Sequence, residues 1–238
     1  MGRNQGIRSV AIWLFGLAIA SNVNAGSINR SIEIGAGSQS GGQSSVNGSI
    51  SVGRGAVVTG DLETVNGAIR IDDDAQVEDL QTVNGSIKLG NNVIADSING
   101  VNGSIRLGTN AMIKGEISVV NGKISSDSGS TIERDVSNVN GELQIIATRI
   151  GGDLSTVNGD VLLTERSIVG GDLIVEKPSG WNRPKRTPRV IIGPGTIVEG
   201  EVHLEREVEL FIHDSAQVGR VTGVMGMDDA VRFSGDRP

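Results

Sequence analysis

Apolar residues return along this chain every 18 or 19 positions, and inside each repeat they alternate with polar ones. One column runs Ile50, Ile69, Ile87, Ile105, Ile124, Leu143 and Val161; two residues later stand Val52, Ile71, Leu89, Leu107, Ser126, Ile145 and Leu163. A period of two places alternate side chains on opposite faces of a β-strand, so each such segment predicts a short strand with one buried face. Two further columns, one from Val58 and Val77 to Val169 and one from Leu62 and Leu80 to Leu173, supply two more inward faces. Each repeat is therefore three short strands and three corners. Ser126 is the polar exception in an apolar column, which predicts a weak coil that Ser126→Val stabilises.

The repeat is marked by Val-Asn-Gly, beginning at Val46, Val65, Val83, Val101, Val120, Val139 and Val157, with a degenerate copy at Ile28-Asn29-Arg30. A single repeat cannot bury its apolar faces, whereas stacked repeats bury them continuously. The expected fold is all-β: a single-stranded parallel β-helix, a three-sided solenoid of about ten coils and about 45 Å at the usual strand spacing. The period suits either hand. Asn-Gly also marks hairpin turns, but a meander of hairpins does not explain recurrence at the full 18 or 19 residues. Asn29, Asn47, Asn66, Asn84, Asn102, Asn121, Asn140 and Asn158 are expected to stack as a structural ladder at one corner. The glycine that follows supplies the positive φ expected of that corner. Asn47, Asn84 and Asn102 also begin glycosylation sequons, yet an inward, stacked Asn is inaccessible.

Residues 176–189 interrupt the pattern with three prolines and five basic residues against one acid, and predict a loop. The apolar pattern resumes at Val190 without Asn-Gly, and Glu207 to Val221 reads as a last coil. Residues 222–238, bearing Gly and Asp, are expected to be a cap or a disordered end. Residues 1–25 have the parts of a secretory signal: Arg3 and Arg8, an apolar run from Val10 to Ala20, and a small-residue site ending at Ala25. That run is too short to span a bilayer, so no transmembrane segment is expected in the mature chain, which is assigned to the periplasm or the exterior of a bacterium.

Aromatic residues make up 2% of the chain, so the core must be Val, Ile, Leu and Ala. The net charge is −7, and loss of Arg3 and Arg8 makes it more negative, which argues against nucleic acid as a partner. There is no cysteine, which excludes disulfides, thiolate metal sites and a lipid anchor on an N-terminal cysteine. His203 and His213 are the only histidines and suggest neither a triad nor a zinc site. Asp61, Asp79, Asp96, Glu116, Asp135, Asp153, Asp172 and Glu201 fall at nearly the same place in successive coils. They form either a carboxylate row open to a cation or basic partner, or a solvated edge that discourages aggregation; the solvated edge is preferred, and no metal or cofactor is expected. Arg70, Lys88 and Arg106 make a shorter basic column, read as an exposed face.

The recurring Gly60-Asp61-Leu62, Gly115-Glu116-Ile117, Gly152-Asp153-Leu154, Gly171-Asp172-Leu173 and Gly200-Glu201-Val202 resemble bactofilin-type polymer-forming proteins and the related adhesin-type β-strand-repeat proteins of bacteria. The likeness covers residues 27–221. It implies a three-sided β-helix able to associate end to end, although an export signal departs from the cytoplasmic scaffolds of that family.

β-Helix enzymes that act on polysaccharides carry long loops, aromatic platforms and paired carboxylates, which this chain scarcely offers. Ile192 to Ile197 fits the unit of hexapeptide acyltransferases, but their acyl-coenzyme donor is not met outside the cytoplasm. The expectation is a non-enzymatic exported structural or scaffold protein of the cell envelope, able to form a homopolymer. The alternative is an envelope-binding or adhesin-like module whose 176–189 loop meets an anionic glycan, lipid or protein through Lys177, Trp181, Arg183, Lys185, Arg186 and Arg189. A polysaccharide-acting enzyme comes third.

Overall fold

The computed structural model describes residues 28–178, 186–235 and 237–238. The signal-like segment lies outside these residues, as do Trp181, Arg183 and Lys185. The chain winds as a parallel β-solenoid of ten coils with three faces. The first face is an eleven-stranded sheet and the other two merge into one fifteen-stranded sheet. They merge because long strands near the two ends, Val57–Asn66 and Ile197–Leu204, run across the corner between them.

The columns predicted from periodicity are the registered pairs of these sheets. Ile50 pairs Ile69, which pairs Ile87, and Leu62 pairs Leu80, which pairs Ile98. The insertion after Val175 leaves register intact, since Val161 pairs Val190 and Leu173 pairs Val202 across it. Inside, Ile50, Leu62, Ile69, Leu80 and Ile98 are completely buried; each contributes roughly 1.5–3 kcal/mol relative to exposure. Aliphatic side chains suit this space because one residue type can stack on itself at about 4.8 Å without a gap.

The corner between the first and second faces turns through a left-handed residue. Gly37 and Gly55 have φ of 65°, Asp74 62°, Asn92 and Asn110 56°, and Gly129 79°, the residue types that adopt this conformation at least cost. In the seventh coil the positive φ falls on Ala147 instead, at 43°.

The Val-Asn-Gly corner, between the third and first faces, works differently from expectation. Of its seven glycines only Gly103 and Gly141 have positive φ. Glycine is required there by close approach: a Cβ on Gly67 would strike the Gly48 carbonyl, one on Gly85 the Gly67 carbonyl, and so on along the column to Gly159. Arg30 can occupy this column in the first copy because its backbone is what Gly48 lies against. In several coils the inner residue two before the Asn covers the same carbonyl, as Thr64 Oγ1 donates to Gly48 O at 2.9 Å, Thr82 Oγ1 to Gly67 O at 3.2 Å and Asn138 Nδ2 to Gly122 O at 2.8 Å.

The Asn side chains of this corner point outward, not inward, and form a continuous ladder. Asn47 Nδ2 donates to Asn29 Oδ1 at 2.8 Å, and the bond repeats at 2.8–2.9 Å through Asn66, Asn84, Asn102, Asn121, Asn140 and Asn158. Outward placement is cheaper because each amide has more hydrogen-bonding groups than the ladder uses, and solvent meets the remainder.

Ser126 also needs a new reading. It is fully buried, and its hydroxyl lies 2.9 Å from Thr148 Oγ1, which donates to Ile146 O at 2.8 Å. Ser130 and Ser167 continue this buried hydroxyl column, each donating to a backbone carbonyl. A valine at 126 therefore trades a hydrogen bond for apolar burial, and the simple stabilisation expected from periodicity loses its ground.

The two ends differ from the middle. In the first coil Gln43 pairs Leu62 and Ser40 pairs Val58, so polar residues occupy columns that are aliphatic elsewhere. At the other end the chain continues beyond Val221 as the strand Gln217–Gly223, a 3-10 turn at Met227–Asp229 and a final strand, Val231–Phe233, which pairs Glu209–His213. Met225 and Met227 pack against the core there.

Candidate functional site

The insertion leaves the solenoid at the Val-Asn-Gly corner of the eighth coil, where Lys177 stands at the ladder position four residues after Leu173. The ninth coil has Arg206 at the same position, four residues after Val202. With the eighth coil's corner diverted outward, Arg206 reaches back across it. Its Nη1 donates to Asn158 Oδ1 at 2.9 Å and to Val157 O at 3.2 Å, and its Nη2 donates to Arg186 O at 2.9 Å. Asn158 presents an oxygen at this end of the ladder because every amide donates toward the preceding coil. A guanidinium is the matching terminator, with several donors in a fixed fork. No motif announces Arg206 in the sequence; only the register places it on the ladder.

Both ends of the insertion are tied down. Lys177 N–H donates to a Glu205 carboxylate oxygen at 3.0 Å, and Arg189 N–H to Asp160 at 2.9 Å. Arg186 forms an ion pair with Asp160, and this hydrogen bond raises its pKa above the ordinary arginine value. Arg189 pairs with Glu209 at 3.1 Å and lies over the Phe211 ring at 5.5 Å. Of the six residues expected to make a basic contact surface, Lys177, Arg186 and Arg189 are thus brought to one corner. The two arginines are already matched by carboxylates. Exposed pairs of this kind are worth about 1 kcal/mol or less.

Four acids of the row, Asp79, Asp135, Asp153 and Asp172, serve as a stacking device. Asp79 accepts the Ser97 N–H at 3.0 Å, Asp135 that of Asp153, Asp153 that of Asp172, and Asp172 that of Glu201, the last three at 2.8 Å. Ser97 thus occupies the row, and Asp96 lies one residue outside it, paired with Lys114 at 2.9 Å. The glycines that precede the acids also find their reason, since a Cβ on Gly152, Gly171 or Gly200 would strike the carboxylate below it. At the start of the row burial raises the pKa of Asp61, with Asp79 and Glu78 adding to it, and burial and then Asp61 raise that of Glu63. Among the described residues no group of three or more His, Asp or Glu is arranged to hold a metal ion.

The histidines lie on different faces. His203 Nδ1 is 3.0 Å from Thr222 Oγ1 on the third face, and its Nε2 is 4.0 Å from Glu205. His213, on the first face, accepts the Ser215 N–H at Nδ1 and meets Phe233 edge-on at 5.0 Å. Arg70, Lys88 and Arg106 are neighbours in register on the outside of the first face. No helix among the described residues is long and apolar enough to cross a membrane. Comparison of the chain with family models, with curated proteins and with solved structures gave no match.

Proposed function

We propose that the chain is a non-enzymatic, exported structural rod of the bacterial cell envelope, which acts through its sides. The observation that carries this reading is the use to which its polar side chains are put. Asp79, Asp135, Asp153 and Asp172 of the acidic row accept backbone N–H groups of the next coil, and the asparagines bond one another. A side chain held in that way supports shape and spacing rather than turnover.

End-to-end polymerisation, implied by the likeness to bactofilins, draws less support. Polar residues fill the first coil where stacking on another molecule would want aliphatic columns, and polar terminal repeats are how solenoids stay soluble. An envelope-binding role for the insertion has one observation in its favour: its base is pinned by Arg206, Glu205 and Asp160, so whatever it displays is held at a defined corner. Negative-stain imaging of residues 26–238 separates these readings. Uniform rods of about 45 Å are expected, and filaments would overturn the capped rod. Cell fractionation is expected to find the chain outside the cytoplasm; a cytoplasmic location, or turnover of an envelope polysaccharide, defeats the reading. If deletion of residues 179–185 abolishes envelope association with the rod intact, the binding role replaces the structural one.

A further inference from the structure

The most constant side chain of the repeat points away from the core. The valine that opens each motif, from Val46 to Val157, occupies an outward position of the third face, only partly covered, and none of these valines belongs to the packed core. Between them stand Gln81, Asn99, Ser118, Ser137 and Ser155, so from the third to the seventh coil the strands of this face carry no charge. In the same five coils the second face bears a charged side chain on every coil, Glu78, Asp96, Lys114, Glu133 and Arg149, and the first face bears Arg70, Lys88 and Arg106 before giving way to Ser125 and Gln144. A flat, charge-free face lined with methyl groups on an otherwise charged rod has the composition of a contact surface.

We infer that this face is a lateral interface with a second copy of the chain, two rods lying side by side. The borders of the face support that occupant and set its direction. One border is the carboxylate row and the other is the asparagine ladder, in which each amide spends one N–H on its neighbour and keeps a second. A two-fold axis along the rods sets the carboxylates of each copy against the amides of the other, whereas an axis across the rods sets acid against acid. Parallel rods are therefore the complementary arrangement. Five charge-free coils at about 4.8 Å and a strand width of about 13 Å give a face that buries roughly 600 Å² between two copies. That lies below the usual 1,200–2,000 Å² of stable complexes, so the association is reversible, with a Kd on the order of micromolar or weaker.

The inference extends the structural-rod reading but is tested apart from it. Sedimentation equilibrium on residues 26–238 is expected to show a monomer–dimer equilibrium. Val120→Lys at the middle of the face is expected to raise Kd at least tenfold, and Gln144→Lys, which adds the same charge to the first face, to leave it within twofold. Ser118→Lys repeats the test should Val120→Lys alter the circular dichroism spectrum. A wild-type chain that stays monomeric to several hundred micromolar overturns the inference and leaves the face to a different partner. So does a dimer that survives both third-face variants or is broken equally by Gln144→Lys. A monomeric result leaves the rod reading standing, and a dimer that turns over a glycan would defeat only that reading.

Discussion

At the corner between the first and second faces, and again at the Val-Asn-Gly corner, the chain relies on glycine and asparagine. At the first of these, Gly55 takes a φ of 65° and a Cβ would meet nothing within 4 Å. Asp74, Asn92 and Asn110 adopt the same conformation in later coils. At the second, Gly85 has an ordinary φ, but a Cβ would run into the Gly67 carbonyl of the coil below. One corner is constrained within its own residue and the other by its neighbour. A left-handed turn can be served by several residue types at a modest cost, whereas a backbone-to-backbone contact admits glycine alone.

Paired substitutions should break the likeness of the two corners. Gly85→Ala is expected to cost about 3 kcal/mol, because the overlap is with rigid backbone and moves two coils apart. Gly55→Ala should cost about 1 kcal/mol, the left-handed penalty alone. Urea unfolding of both variants decides the matter, and equal losses would mean that conformation rather than contact governs both corners.

Next in size is Arg206→Ala, which leaves Asn158 Oδ1 and two carbonyls without their donor. A loss of about 2 kcal/mol is expected, with faster hydrogen exchange and proteolysis confined to the base of the 176–189 insertion. Uniformly faster exchange along the rod would show that Arg206 does not act as a local latch.

The ladder can be probed at its centre. Asn102→Asp replaces a donor to Asn84 Oδ1 with a carboxylate oxygen, for about 1 kcal/mol at neutral pH. Protonation restores a donor, so the deficit against wild type should shrink as pH falls below the carboxyl pKa. A deficit independent of pH would count against the ladder's polarity.

The smallest effect concerns the start of the acidic row. The pKa of Asp61 is raised on folding, so ionisation is harder in the folded chain and Asp61 weakens the fold above its unfolded value of 3.8. Asp61→Asn should therefore raise the melting temperature slightly at pH 7 and lose that advantage as pH falls through the raised pKa toward 3.8. An advantage that persists in acid would place the benefit elsewhere.

Much of this was legible along the chain because a solenoid repeats its own contacts at one period. Ile50 and Leu62 recur as Ile69 and Leu80, so strand, face and register can be read by alignment alone, and the insertion announces itself by prolines. The column of Ser126 was legible but its partner was not, because Thr148 lies 22 residues on, outside the columns that periodicity compares. The acidic row reads in the sequence as a solvated edge because spacing shows that carboxylates stack, not that N–H groups of the next coil lie between several of them. Arg206 gave no signal at all.

The sequence by itself determined the coil, its length, its three apolar faces and their order, because apolar periodicity and steric preference act between residues near in sequence. Only the tertiary structure decided which way the asparagines point, why glycine follows them, how the ladder ends and which face is left without charge. Each of these depends on a neighbour one or two coils away, and so on where the backbone of another turn comes to rest.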